Sequence, residues 1–111
     1  MIHQMRLMHH PFEKIRAGTK TVEMRLYDEK RTAVHVGDTI RFEDTDSGER
    51  MDCIVLALHR YATFTELYAH HDKVSLGYDA DQPACPEDML ACYPAEKIER
   101  YGVIGIELKT I

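Results

Sequence analysis

From Thr21 to Leu26 the chain alternates without a break, Val22, Met24 and Leu26 to one side and Thr21, Glu23 and Arg25 to the other. That is the period of a strand with one buried face. Immediately upstream, Pro11-Phe12-Glu13-Lys14-Ile15-Arg16-Ala17-Gly18 carries a proline in its first turn and a glycine stop, the marks of a short helix, with Phe12 and Ile15 as its core anchors. Between this helix stop and the strand there is room only for a tight connection. It sends Glu23 and Arg25 out of one sheet face, with Lys20 at the strand's mouth. Strict alternation gives Lys20 the opposite parity, so it joins Glu23 and Arg25 only by preceding the regular strand or through a twist. The plain alternative is a solvated strand edge with an ordinary Glu–Arg pair, worth under about 1 kcal/mol.

Elsewhere the pattern is of short strands separated by turns. Met1 to Met8 alternates as an opening strand, with Ile2, Gln4, Arg6 and Met8 on one side and Met5 and Leu7 on the other. Asp28 to Arg31 reads as a charged loop, and Val36-Gly37-Asp38 turns into a strand over Thr39–Glu43. Asp44 to Gly48 is a turn rich in Asp, Ser and Gly. Asp52 to Tyr61 is the most hydrophobic strand and the expected centre of the sheet. Thr63 and Glu66 have capping-box spacing at the start of a helix. Residues 77–86 form a loop whose final proline opens a helix over Glu87–Cys92. Tyr93-Pro94 breaks it, Ala95 to Gly102 makes another helical turn, and Val103 to Lys109 closes the chain as a strand. This order predicts an α+β fold, a small mixed barrel rather than a parallel sheet. One domain spanning residues 1–111 is expected from the length.

No run approaches the roughly 18 apolar residues of a membrane span, and the opening residues lack the apolar core of a secretory signal. The expectation is a cytoplasmic protein. The three cysteines, Cys53, Cys85 and Cys92, form neither an even disulfide framework nor a Cys-x-x-Cys zinc spacing. The net charge of −5 argues against long duplex DNA, whose binding draws on basic surface to release counterions. The charge is uneven, however. Residues 1–31 hold seven Lys/Arg against four Asp/Glu, and residues 32–111 hold seven against fifteen. A local cationic site on an acidic body fits one small anionic or nucleotide ligand, or a short single strand. His9-His10 and His70-His71 are adjacent pairs that would point to opposite faces of a strand, so neither chelates by itself. With Asp72 the second pair makes a ligand-rich run, but the expectation is of no metal and no cofactor.

The order Phe12-Glu13-Lys14-Ile15, then Gly18-x-Lys20-x-x-Glu23-x-Arg25, then Val36-Gly37-Asp38, ending in Tyr101-Gly102-Val103-Ile104-Gly105-Ile106-Glu107, resembles the ASCH domain, a relative of the PUA barrel. The resemblance covers nearly the whole chain. It implies a small PUA/ASCH-like mixed β-barrel of about five to six strands with short flanking helices, and a cleft lined by the Gly18–Arg25 motif. It also implies binding of RNA or a modified nucleoside, sometimes with hydrolysis. The bacterial acetylcytidine amidohydrolases, similar in size, use a Lys, a Thr and a Glu. Lys20 matches that lysine, Glu23 stands where the threonine nucleophile falls, and Asp72 lies near the glutamate. Glu23 cannot act as a hydroxyl nucleophile, although Thr21 is close by, and this departure weighs against carrying the deacetylation mechanism over.

Three functional readings follow. The first is a binding cleft for single-stranded RNA or a modified nucleoside. Its ligand residues are Gly18, Lys20, Glu23 and Arg25, with Tyr93 stacking on a base. The second is a hydrolase, an amidohydrolase on an acetylated nucleoside or a ribonuclease. Lys20 and Glu23 would be its catalytic residues, Thr21 and Asp72 lesser candidates, and burial would raise the Glu23 pKa so that it serves as a base. The third is a protein-interaction adaptor in a transcription or translation complex, which would show an exposed apolar patch rather than a charged cleft. The missing nucleophile places binding first.

Overall fold

The sheet is built on its longest strand. In a computed structural model describing all 111 residues, β1 (Ile2–Leu7), β2 (Val22–Leu26), β3 (Thr39–Asp44), β4 (Arg50–Tyr61) and β5 (Val103–Thr110) form one sheet in the order β1-β3-β4-β5-β2. The apolar run around Cys53 and Val55 is therefore central, as its composition predicts. β1 pairs parallel with β3, from Ile2 opposite Thr39 to Leu7 opposite Asp44, and all other pairs are antiparallel. The β4–β5 register slips between Val55 and Ala57. A bulge of this kind bends its strand and tightens the local twist. β1 and β2 lie at opposite ends of the strand order, yet Arg25 Nη2 on β2 donates to the Arg6 carbonyl of β1 at 2.8 Å. The sheet is curled into a half-barrel.

Two apolar clusters fill it. One lies inside the curl and holds Phe12 and Ile15 of α1 (His9–Ala17) against Phe42, Val55 and Ile106. The other packs Phe64 and Leu67 of α3 (Phe64–His70) and Leu76 of α4 (Lys73–Leu76) onto Val22, Met24 and Leu26. β5 serves both, with Ile104 in the first cluster and Val103 in the second. Each such side chain, fully buried, contributes about 1.5–3 kcal/mol. Gly105 has no Cβ for a packing reason: one there would stand 3.2 Å from Val22 Cγ1.

Several local readings are revised. Asp28–Arg31 is a helical turn rather than a loop: α2 (Glu29–Thr32) is capped by Asp28, whose carboxylate accepts from the Arg31 N–H. α4 falls on a stretch with no helical expectation. The expected helix over 87–92 is a 3₁₀ helix, Pro86–Ala91, and α5 (Ala95–Tyr101) follows it. α1 starts at His9, two residues before Pro11. The largest revision concerns β2. Glu23 is only 5% exposed, so both faces of this strand are covered: α3 and α4 pack on Val22, Met24 and Leu26, while Glu23, paired with Ile106 of β5, lies on the side that faces into the curl. No helix is long and apolar enough to cross a membrane.

Candidate functional site

The glycine stop positions the first charged side chain. Gly18 adopts a left-handed φ of 86°, and its N–H bonds to the Ile15 carbonyl, the usual glycine device for ending a helix. The N–H groups of Thr19 and Lys20 both return to the Lys14 carbonyl at 3.1 Å. Lys20 is thus held before the regular strand begins, which resolves its parity and lets it share a site with Glu23. Its Nζ lies 3.3 Å from Glu23 Oε1 and donates to the Leu76 carbonyl at 2.8 Å. Next to that carbonyl, Gly77 at φ 114° lets the α4 backbone press on the lysine stem: a Cβ there would meet Lys20 Cδ at 3.2 Å. On the other side Arg25 Nε donates to Glu23 Oε2 at 2.8 Å. The three charges form one buried row.

Burial pushes the Glu23 carboxyl up, but Arg25 and Lys20 together outweigh it and leave its pKa below the ordinary value. This corrects the expectation that the cleft would raise it. Burial likewise opposes charge on Arg25, and Glu23 overcomes it, so the arginine pKa is raised. The result is a fixed anion between two fixed cations, with a net charge of +1. A carboxylate held this firmly in its ionised form has little tendency to take up a proton near neutral pH.

Over this row lies a cavity of about 260 Å³. Lys20, Glu23 and Arg25 line its floor. Arg6, Leu7 and Met8 enter from the end of β1, Met24 from β2, and Met89, Cys92 and Tyr93 from the 3₁₀ segment. Tyr93 is held by a near-parallel stack on Phe64, ring centroids 6.1 Å apart at 15°. A charged floor under thioether, aliphatic and aromatic walls is the arrangement of a small-ligand site, in which a few polar groups orient a largely apolar contact.

Residues 5–111 match the ASCH domain. The chain belongs to the ASCH domain family. That family is generally regarded as RNA-binding. The hypothetical protein PH0355, known from a crystal structure, is 30% identical over the full length of both chains with a TM-score of 0.85. Protein PF0455 from Pyrococcus furiosus, known from a solution NMR structure, is 29% identical with a TM-score of 0.75, over 100% of this chain and 98% of that one. A mutant of ZmASCH from Zymomonas mobilis has the same fold, with a TM-score of 0.70 at 14% identity over 99% of this chain and 70% of that one. No protein of curated function matches the sequence.

In this ASCH domain the sequence-derived residues divide into two groups. Lys20, Glu23, Arg25 and Tyr93 meet at the cavity, and Gly18 shapes its rim as the helix cap without lining it. Thr21 is exposed and engaged through its backbone, its N–H bonding to the Ser75 carbonyl. Asp72 is exposed at the start of α4 and does not line the cavity. The histidine pairs stay apart. His9 Nδ1 sits 2.7 Å from Asp44 Oδ2, whereas His70 stacks on Tyr61 and His71 Nε2 sits 2.9 Å from the Tyr61 hydroxyl. His9, Asp44 and Asp46 offer ligand atoms within 4.8 Å of one another, but both Asp44 oxygens are already engaged, by His9 and by the Asp46 N–H. Arg6, Met8, Met89 and Cys92 escape the sequence reading. Arg6 and Met8 share the available signal, their common side in the alternation of the opening strand.

Proposed function

We propose that the cleft binds a single nucleotide unit, either a modified nucleoside or one residue of a single-stranded RNA. The observation that carries this is the buried row Lys20–Glu23–Arg25 beneath Tyr93. Arg25 spends Nε and Nη2 on Glu23 and Arg6, which leaves Nη1 to face an acceptor such as a base carbonyl or a phosphate oxygen. Glu23 accepts from N–H groups on a base edge, and Tyr93 offers a ring already braced by Phe64. The cavity volume of about 260 Å³ lies just under the roughly 300 Å³ lower end of drug-sized pockets, which suits one base better than a stacked pair.

Binding is favoured over hydrolysis by the lining itself. No serine or threonine is among the residues around the cavity, and a carboxylate paired with two cations is a poor general base. The test is an amide chemical-shift titration with cytidine, N4-acetylcytidine and a short single-stranded RNA. Saturable shifts over Gly18–Arg25 and at Tyr93 support the reading, and their absence with every ligand overturns it. Disappearance of the acetyl signal would promote the hydrolase reading. Tyr93→Phe should keep affinity, and Tyr93→Ala should cost about 1–3 kcal/mol, the value of one base–aromatic stack.

A further inference from the structure

Arg6 lines two cavities. Besides the cleft, it borders a groove of about 300 Å³ whose other walls are Gln4, Met5, Lys30, Arg41, Glu43 and Arg50. Strand register builds this groove. Gln4, Arg41 and Asp52 stand opposite one another across β1, β3 and β4, and Arg6, Glu43 and Arg50 form the next row. α2 brings Lys30 over the edge, where its Nζ donates to the Gln4 carbonyl at 2.7 Å.

The pairing inside the groove is incomplete. Arg41 is held on Asp52 by two bonds of 2.8 and 3.0 Å. Arg6 and Arg50 share the single carboxylate of Glu43, at 4.0 and 3.6 Å. Lys30 has no carboxylate partner, only the backbone carbonyl of Gln4. Burial, Arg31 and Arg25 all lower the Lys30 pKa. Cleft and groove together hold six cations and three carboxylates on a chain whose net charge is −5.

The two cavities also differ in lining. The cleft has an aromatic wall in Tyr93, and the groove has cations and no aromatic residue. Bases gain from aromatic faces, whereas the phosphate backbone follows positive charge. The geometry points to a single-stranded RNA that places one base in the cleft and lays its adjoining phosphates past Arg6 into the groove, against Lys30 and Arg50. This inference rests on the cleft being a nucleotide site, and it makes a polynucleotide strand rather than a free nucleoside the larger ligand. Arg41, tied to Asp52, sets one wall of the path.

The experiment compares a fluorescein-labelled RNA pentanucleotide, followed by anisotropy, with cytidine, which has no phosphate to reach the groove, followed by chemical shifts, on the full chain. The pentanucleotide should bind more tightly, with an affinity that falls as salt rises. The double variant Lys30→Ala/Arg50→Ala should weaken the pentanucleotide about tenfold and flatten its salt dependence by roughly 0.7 for each phosphate that the two side chains neutralise. The same variant should leave cytidine binding unchanged, since neither side chain lines the cleft. Both sites are exposed, so folding of the double variant is expected and is checked by its circular dichroism. Equal affinity for the two ligands, or an unchanged double variant, overturns the groove while leaving the cleft reading intact. Absence of cytidine binding with a Lys30-dependent pentanucleotide would reject the cleft reading instead. An acidic peptide of equal charge that binds as tightly as the RNA overturns the assignment to a nucleic-acid strand.

Discussion

Arg25 and Arg6 are joined by a hydrogen bond of 2.8 Å from guanidinium to backbone carbonyl, and this bond spans the open seam between the two ends of the curled sheet. The same guanidinium neutralises Glu23. A planar fork can serve both partners at once, whereas a lysine ammonium is a compact point charge. Arg25→Lys should therefore cost about 1–3 kcal/mol, the range for losing charged hydrogen bonds, read as a lower urea midpoint with little change in slope. Unchanged stability would show that the seam does not depend on this contact.

Glu23→Gln keeps the shape and removes the anion, leaving Lys20 and Arg25 facing each other in a buried site. Breaking a buried ion pair by removing one partner costs about 3–5 kcal/mol. The variant should unfold at clearly lower denaturant. A variant as stable as the parent would mean that water screens the row.

Gly77→Ala tests the support of Lys20 from α4. The position has φ 114°, and the new Cβ would sit 3.2 Å from Lys20 Cδ. Strain of this kind costs about 1–3 kcal/mol. Ligand shifts at Lys20 should weaken in parallel with the melting temperature. Full stability together with full binding would remove Gly77 from the site.

The acid limb of the stability curve should involve Asp44. Its hydrogen bond with His9 leads the causes that hold its pKa at about 2, against an ordinary 3.8. A depressed folded pKa stabilises above the unfolded value, and that stabilisation is lost as pH falls from about 4 toward 2. The His9 pKa is raised by the same bond, so its share is present below about 6.5 and fades as pH rises. Asp44→Asn should flatten both dependences in pH-resolved denaturation. Parallel curves for parent and variant would contradict this.

The three thiols should separate by reactivity with a disulfide reagent at about pH 8. Cys53 is fully buried and its pKa is pushed up to about 11, so it should react only on unfolding. The hydrogen bond to Glu87 raises the Cys85 pKa, and this thiol should lag behind Cys92. Because Cys92 lines the cleft, bound nucleotide should protect it. Protection of Cys85 instead would place the ligand elsewhere.

Local chemistry is legible where neighbours in sequence decide conformation. The Gly18 stop and the Thr63 cap each involve residues only a few positions apart, and the structure keeps both; β2 forms where its alternation predicts a strand, but with both faces covered. The helical turn after Asp28 is not legible, because so short a charged stretch carries no periodicity to distinguish one turn of helix from a loop. The row of Lys20, Glu23 and Arg25 is recognisable as a cluster, but its burial is not, since the covering chain comes from far away.

The sequence by itself determined where this ASCH domain's helix stops, which residues alternate along its strands, and which charges stand together after Gly18. Those features follow from backbone conformation and side-chain period, which act over a few residues. Tertiary structure alone decided that Glu23 is sealed and ionised, that Leu76 receives the Lys20 amine, and that Arg6 joins cleft to groove. The Lys20–Leu76 bond spans 56 residues and the Arg25–Arg6 bond spans 19. Contacts at such separations exist only once the curled sheet brings its distant strands and its inserted helices together.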